Sequence, residues 1–270
     1  MLSTLQGITK LKEKCLKKKA SKTVVCRALN QVPGLPDIPG LGDALGDVPL
    51  VGDLLGLGRP GTGPTTSAGD LDNNGRGPTM RQLSDWVAEM GFIAVSPDLF
   101  WRQEKGVQLD PDAGQAQWDR AFKLMQGMDQ DKAIEDIKAS IVHARTMPGS
   151  NGKVATMGFC LGGRLAYMAA ARTDADANIS YYGVGIEGLL GEAGSIKAPL
   201  ILHIAEKDKF VPPEAQAKIL DGLKDRKQVS AYVYPGVDHA FARMGGHAWD
   251  ARAATIANGR SAELLARVLG

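Results

Sequence analysis

Three side chains, Cys160, Asp208 and His239, stand in an order and in surroundings that suit acyl transfer through a thiol. Cys160 is the centre of Gly158-Phe159-Cys160-Leu161-Gly162. A short apolar run of strand length, Lys153 to Met157, precedes it, and Arg164 to Ala170 follows with apolar residues at helical spacing. A strand, a tight turn and a helix would present the cysteine above the strand's end, with flanking glycines where a Cβ would clash. The N–H of Leu161, at the start of the helix, would point where an oxyanion forms, and the same helix end favours thiolate over thiol. A small cysteine packed at a helix start is the competing reading of this pentapeptide alone.

A thiol nucleophile needs a base, and the base needs an orienting acid. Asp208 lies in Ala205-Glu206-Lys207-Asp208-Lys209-Phe210-Val211-Pro212, directly after an apolar strand ending at Ile204. His239 lies in Tyr234-Pro235-Gly236-Val237-Asp238-His239-Ala240-Phe241, directly after the next strand. The order nucleophile, acid, histidine is that of α/β-hydrolases, with the last two on loops after later strands. His203 falls inside an apolar strand and reads as a core histidine; His143 lies on a helix face, and His247 near the start of the final helix. Glu206 and Asp238 are rival acids displaced from the expected position.

The elements that would hold these residues alternate. Leu83, Trp86, Val87 and Met90 share one helical face, and Gly91 stops that helix. Phe92 to Ser96 reads as a buried strand, ending at the loop Pro97-Asp98-Leu99-Phe100-Trp101-Arg102. Helical patterns run from Trp118 to Met125, from Asp131 to Arg145, near Glu214 to Leu223 and through the C-terminal region. Strands are expected at Ile179 to Tyr182, Leu200 to Ile204 and Val229 to Val233. Strands alternating with helices predict a mostly parallel sheet with helices on both faces.

Composition narrows the setting. Of 270 residues, 44% are hydrophobic and 23% charged, values of an ordinary globular chain. A formal net charge of +2 argues against a nucleic-acid partner, since much of the basic surplus lies in the first thirty residues. Cys15, Cys26 and Cys160 are too few and too scattered for a disulfide framework or a zinc site. No apolar run approaches a membrane span and no secretory signal pattern opens the chain, so the reading is a cytoplasmic protein with no membrane partner. Lys10 to Lys19 is lysine-dense, and Gln31 to Gly77 is rich in Gly and Pro. Residues 1–79 therefore read as a poorly ordered arm and residues 80–270 as the folded domain.

Several linked motifs resemble the dienelactone hydrolases, an α/β-hydrolase family with a cysteine nucleophile. They are Ser96-Pro97-Asp98-Leu99-Phe100-Trp101-Arg102-Gln103, Ser150-Asn151-Gly152-Lys153-Val154, Gly158 to Gly163, Tyr181-Tyr182-Gly183-Val184-Gly185, Phe210-Val211-Pro212 and His239-Ala240-Phe241-Ala242-Arg243. The resemblance runs from about Met80 to the C-terminus. It implies a Cys160, Asp208, His239 triad with Leu161 as oxyanion donor, and Arg102 and Arg243 as binders of a substrate carboxylate. A planar guanidinium suits that task because it grips a carboxylate bidentately. The implied activity is that of a carboxymethylenebutenolidase, opening a small carboxylate-bearing enol-lactone through a thioester in the degradation of aromatic compounds. No metal or organic cofactor is required, and a monomer is expected.

Before Met80 the pattern departs from that family, which has strands there and a glutamate-bearing loop that also donates the second oxyanion N–H. Ser67 to Pro78 contains no glutamate and follows no evident strand. The N-terminal strands are thus atypical or missing, unless Thr23 to Leu29 or Val48 to Leu55 supplies the inner one between Phe92 and Val154. A catalytically silent α/β-hydrolase-like binding protein and a broader carboxylesterase are the alternative functions.

Overall fold

The computed structural model describes residues 78–110 and 114–270. The lysine-rich and Gly/Pro-rich arm and the two segments considered for the inner strand lie outside the described residues. Four strands, β1 (Ala155–Phe159), β2 (Ala177–Tyr181), β3 (Leu200–Ala205) and β4 (Val229–Tyr234), form one sheet in the order β1-β2-β3-β4. Every pairing is parallel, with Phe159 opposite Tyr181, Tyr181 opposite His203 and His203 opposite Tyr232. All carboxyl ends therefore lie along one edge of the sheet.

Parallel neighbours need crossovers: an α-helix supplies the first and the last, and the 3₁₀ turns Ile186–Gly188 and Leu190–Ser195 supply the one between β2 and β3. The helices are α1 (Pro78–Glu89), α2 (Gln115–Gln126), α3 (Gln130–Thr146), α4 (Leu161–Arg172), α5 (Pro213–Leu223) and α6 (Ala251–Leu269). Gly91, at φ 92°, follows α1 in the left-handed region, where glycine has no Cβ penalty. Asp129 caps α3 by accepting from the Lys132 N–H at 3.1 Å, and Asp250 caps α6 by accepting from Ala253 N–H at 2.8 Å.

Side chains alternate across a strand, and β2 shows which helix covers which face. A Cβ on Gly163 of α4 would meet Ser180 Oγ at 3.0 Å, whereas the hydroxyl of the next residue, Tyr181, shares a 2.7 Å hydrogen bond with Ser261 of α6. Helices α4 and α6 thus cover opposite faces. Every residue of β2 and β3 is buried, as strands sandwiched between helix layers must be. Tyr167, Leu200, Leu202, Ile204 and Ile219 form the centre of the core between α4, α5 and the sheet.

One expected element is corrected. Residues 92–96 take no part in the sheet, although their apolar run predicts a strand. An apolar run becomes a strand only when a neighbouring backbone pairs with it, and among the described residues β1 pairs with β2 alone. The segment is held instead by side chains, with Ser96 Oγ 2.8 Å from Ser84 Oγ. No helix among the described residues is long and apolar enough to cross a membrane.

Candidate active site

Cys160 sits between β1 and α4 with φ 57° and ψ −116°, a conformation that non-glycine residues adopt only under constraint. The constraint is visible on both sides of the turn. The Cys160 N–H donates to Tyr181 O at 3.0 Å, and Arg164 N–H donates to Cys160 O at 3.1 Å to begin the helix. A Cβ on Gly158 would fall well inside contact distance of the Gly162 carbonyl, so only glycine lets the strand pass the helix start. Gly163 is tight as well, its hypothetical Cβ 2.7 Å from Tyr181 O, whereas Gly162 faces open space. The glycines that the turn requires are therefore Gly158 and Gly163, and Gly162 contributes only its backbone.

The carboxyl ends of β3 and β4 bring the other two residues to the thiol. Asp208 is 2% exposed; its Oδ2 accepts from His239 Nδ1 at 2.7 Å and its Oδ1 from the Phe210 N–H at 2.9 Å. Lys207 N–H donates to Val237 O at 2.9 Å and ties the two loops together. Cys160 is the other group whose charge acts on the His239 side chain. Burial by itself pulls the imidazole towards neutrality, but the hydrogen bond to Asp208 and the negative charge of Asp208 and Cys160 outweigh it and push the pKa up to about 9. At neutral pH this favours an imidazolium beside the sulfur. The rival acids are occupied elsewhere: Glu206 Oε2 accepts from Gly236 N–H at 2.7 Å and Asp238 Oδ1 from the His239 backbone N–H at 2.7 Å.

The two arginines are placed differently. Arg243 lies four residues beyond His239, and its positive charge acts on the buried Tyr182, whose ring meets His239 edge-on at 4.9 Å. Arg102 is bound by Asp136 of α3: Nε to Oδ2 at 3.1 Å and a terminal guanidinium nitrogen to Oδ1 at 2.7 Å. Trp101 Nε1 donates to the same Oδ2 at 2.9 Å, and the guanidinium lies 4.4 Å from the Trp101 ring centroid. An internal carboxylate thus fills the fork of Arg102. Leu161 is the first residue of α4, and the loop considered for a second oxyanion donor lies outside the described residues.

Sequence reasoning names Tyr182 and Phe210 only as members of motifs, with no role of their own, and does not single out Asp136. Tyr182 (φ 38°) and Ala240 (φ 64°) join Cys160 as the three non-glycine residues with positive φ among the described residues, and each adjoins the thiol or the histidine. Such conformations cost about 1–3 kcal/mol each and persist where surrounding structure enforces them. Burial, then the charge of Cys160, pushes the Tyr182 hydroxyl far above its ordinary pKa. Phe210 also meets the His239 ring edge-on, at 4.8 Å. A tyrosine pair followed by glycine directly after a strand was the available signal for Tyr182. Asp136 gave none, because a carboxylate on a helix surface looks alike with or without a distant partner. No cluster of three or more His, Cys, Asp or Glu suited to a metal ion occurs among the described residues.

Parallel strands that carry a thiol, a carboxylate and a histidine in that chain order at their carboxyl ends define the α/β-hydrolase class. Comparison with known proteins narrows it. The Dienelactone hydrolase family profile matches residues 73–269, and the chain belongs to that family. A protein of Azospirillum brasilense, provisionally named a carboxymethylenebutenolidase, is 52% identical over 195 residues, spanning 71% of this chain and 82% of the relative. Carboxymethylenebutenolidase 1 of Cupriavidus pinatubonensis is 39% identical, over 70% of this chain and 80% of its own length. Among solved structures, a dienelactone hydrolase homologue from Klebsiella pneumoniae superposes with a TM-score of 0.60 at 22% identity, covering 70% of this chain and 81% of that one. This last likeness bears on the fold alone. The protein is a carboxylic ester hydrolase of the dienelactone hydrolase type.

Proposed function

We propose that the protein opens a small carboxylate-bearing enol-lactone by covalent catalysis at Cys160. The single observation that carries this reading is the elbow cysteine acting on a histidine that is hydrogen-bonded to a buried aspartate. An imidazolium at His239, whose pKa is pushed up to about 9, is the charge that favours a thiolate nucleophile in this position. The S–C bond forms at the lactone carbonyl, and the carbonyl π electrons move to oxygen, where the Leu161 N–H at the helix start stabilises the oxyanion. Collapse breaks the ring C–O bond and leaves a thioester, and the departing enolate takes the His239 proton. Neutral His239, oriented by Asp208, then draws a proton from water as that water adds to the thioester. The second collapse breaks the C–S bond, releasing the carboxylic acid and restoring thiolate and imidazolium.

A free carboxylate on the substrate would be gripped by Arg243, with Arg102 as its partner once Asp136 is displaced. The occupied fork of Arg102 also favours a second reading, a broader carboxylesterase that accepts neutral esters.

Two variants test the main reading with one assay. Cys160→Ser is expected to lower turnover by orders of magnitude, since a hydroxyl is far less ionised than a thiol in the same place. Arg243→Ala is expected to weaken kcat/KM for a carboxylate-bearing lactone by about 1.5–3 kcal/mol and to spare neutral esters. Full activity of the serine variant would remove Cys160 from the mechanism. Equal losses on charged and neutral substrates would make Arg243 a structural residue and favour the carboxylesterase.

A further inference from the structure

The catalytic histidine opens onto an array of aromatic rings that the proposed reaction leaves unused. Phe210, 4.8 Å from the His239 ring, is 44% exposed, although the triad residues it adjoins are buried. Its ring lies 6.2 Å from Trp118 at an interplanar angle of 23° and 6.3 Å from Phe122, and Trp118 stacks on Phe122 at 5.8 Å. Trp118 and Phe122 are one helical turn apart on α2, so they share a face of that helix. Both are half-buried.

The array is fixed to the chemistry by a backbone bond. Phe210 N–H donates to Asp208 Oδ1, the oxygen that His239 does not use, so the ring keeps its place relative to the triad. Three neighbouring rings, two of them nearly parallel and one still substantially exposed, provide π faces that begin 4.8 Å from the His239 ring. Pure packing of α2 onto the domain would gain most by burying Phe210 fully, because exposed apolar area forfeits its transfer free energy. A flat aromatic group on a bound ester would cover that area, and it would gain the offset-stacked or edge-on contact that a saturated ring of the same size lacks.

We propose that Trp118, Phe122 and Phe210 form a specificity-determining ledge, and that it selects esters or lactones carrying an aryl ring close to the reacting carbonyl. The proposal rests on the hydrolase reading above and deepens it. The residues are binding groups, with no proton or bond passing through them.

Methyl phenylacetate and methyl cyclohexylacetate test it, because they share a leaving group and nearly a size and differ in the π face. The wild-type protein is expected to prefer the phenyl ester, chiefly through KM. Trp118→Ala is expected to lower kcat/KM for the phenyl ester about fivefold more than for the cyclohexyl ester. Phe122→Leu should act in the same direction more weakly, and Trp118→Phe should restore most of the preference. A structural role would instead lower both substrates together and would not be rescued by one aromatic ring alone. Protection of Cys160 from iodoacetamide by phenylacetamide and by cyclohexylacetamide supplies a readout that needs no turnover. If neither ester is hydrolysed but phenylacetamide protects better, the hydrolase reading fails and the ledge stands. Equal protection by the two amides, or equal losses on the two esters, overturns the ledge.

Discussion

Two buried histidines, on opposite sides of the same strand ends, have been pushed in opposite directions. His203, in β3, is fully buried; its Nδ1 pairs with Tyr234 Oη at 2.8 Å and its Nε2 with Ser261 Oγ at 2.9 Å. Burial and then the charge of Arg260 push its pKa down to about 3. His239, in the loop after β4, has comparable burial but a carboxylate and a thiol as partners, and rises to about 9. Desolvation acts on both rings with the same sign. The charge of the partner decides the outcome, so the region under α6 is a neutral network that locks helix to sheet, and the region above the strand ends is a poised ion pair.

Removing each histidine in turn should give the largest effect. His239→Gln is expected to lower kcat by about 10²–10⁴, the usual share of a general acid–base, while the protein stays folded. His203→Leu should leave kcat within a few-fold but cost about 1–3 kcal/mol of stability, because it takes a partner from two buried hydroxyls. Steady-state kinetics and urea titrations on both variants check this; a His203 variant as inactive as the His239 variant would break the distinction.

The pH dependence sharpens it. A histidine whose folded pKa is raised contributes stability that is complete below its unfolded value near 6.5 and is lost as pH climbs through about 9. One whose folded pKa is depressed contributes stability that is complete above about 6.5 and is lost as pH falls towards 3. Melting temperature against pH should therefore fall on both sides of about pH 6.5, the alkaline limb flattening in His239→Gln and the acid limb in His203→Leu. A limb that persists after its histidine is removed would assign that slope to other groups.

The smallest effect concerns a second charged pair, Arg102 with Asp136. Asp136 and Arg102 are 22% and 43% exposed, so the pair is worth little in water. If Arg102 serves a substrate carboxylate, Asp136→Asn should lower KM for a carboxylate-bearing lactone about two- to fivefold and leave neutral esters alone. An unchanged KM would leave Arg102 as a surface partner that fastens the 97–106 loop to α3.

Chain order and local pattern were enough to identify the strand-turn-helix around Cys160, the loops that carry Asp208 and His239, and the satisfied core role of His203. Each of these is a short-range property: apolar spacing, a glycine where backbone must pass, a polar residue just after an apolar run. The apolar run at Phe92 shows the limit of such reading, because strand identity belongs to a pair of segments and no pairing partner is coded within five residues. The same holds for Asp136 in the fork of Arg102, for Gly163 rather than Gly162 as the second indispensable glycine, and for Trp118 reaching Phe210 across ninety-two positions. Those contacts join residues distant in the chain, and only the tertiary packing of α2, α3 and α4 brings them within a few ångströms.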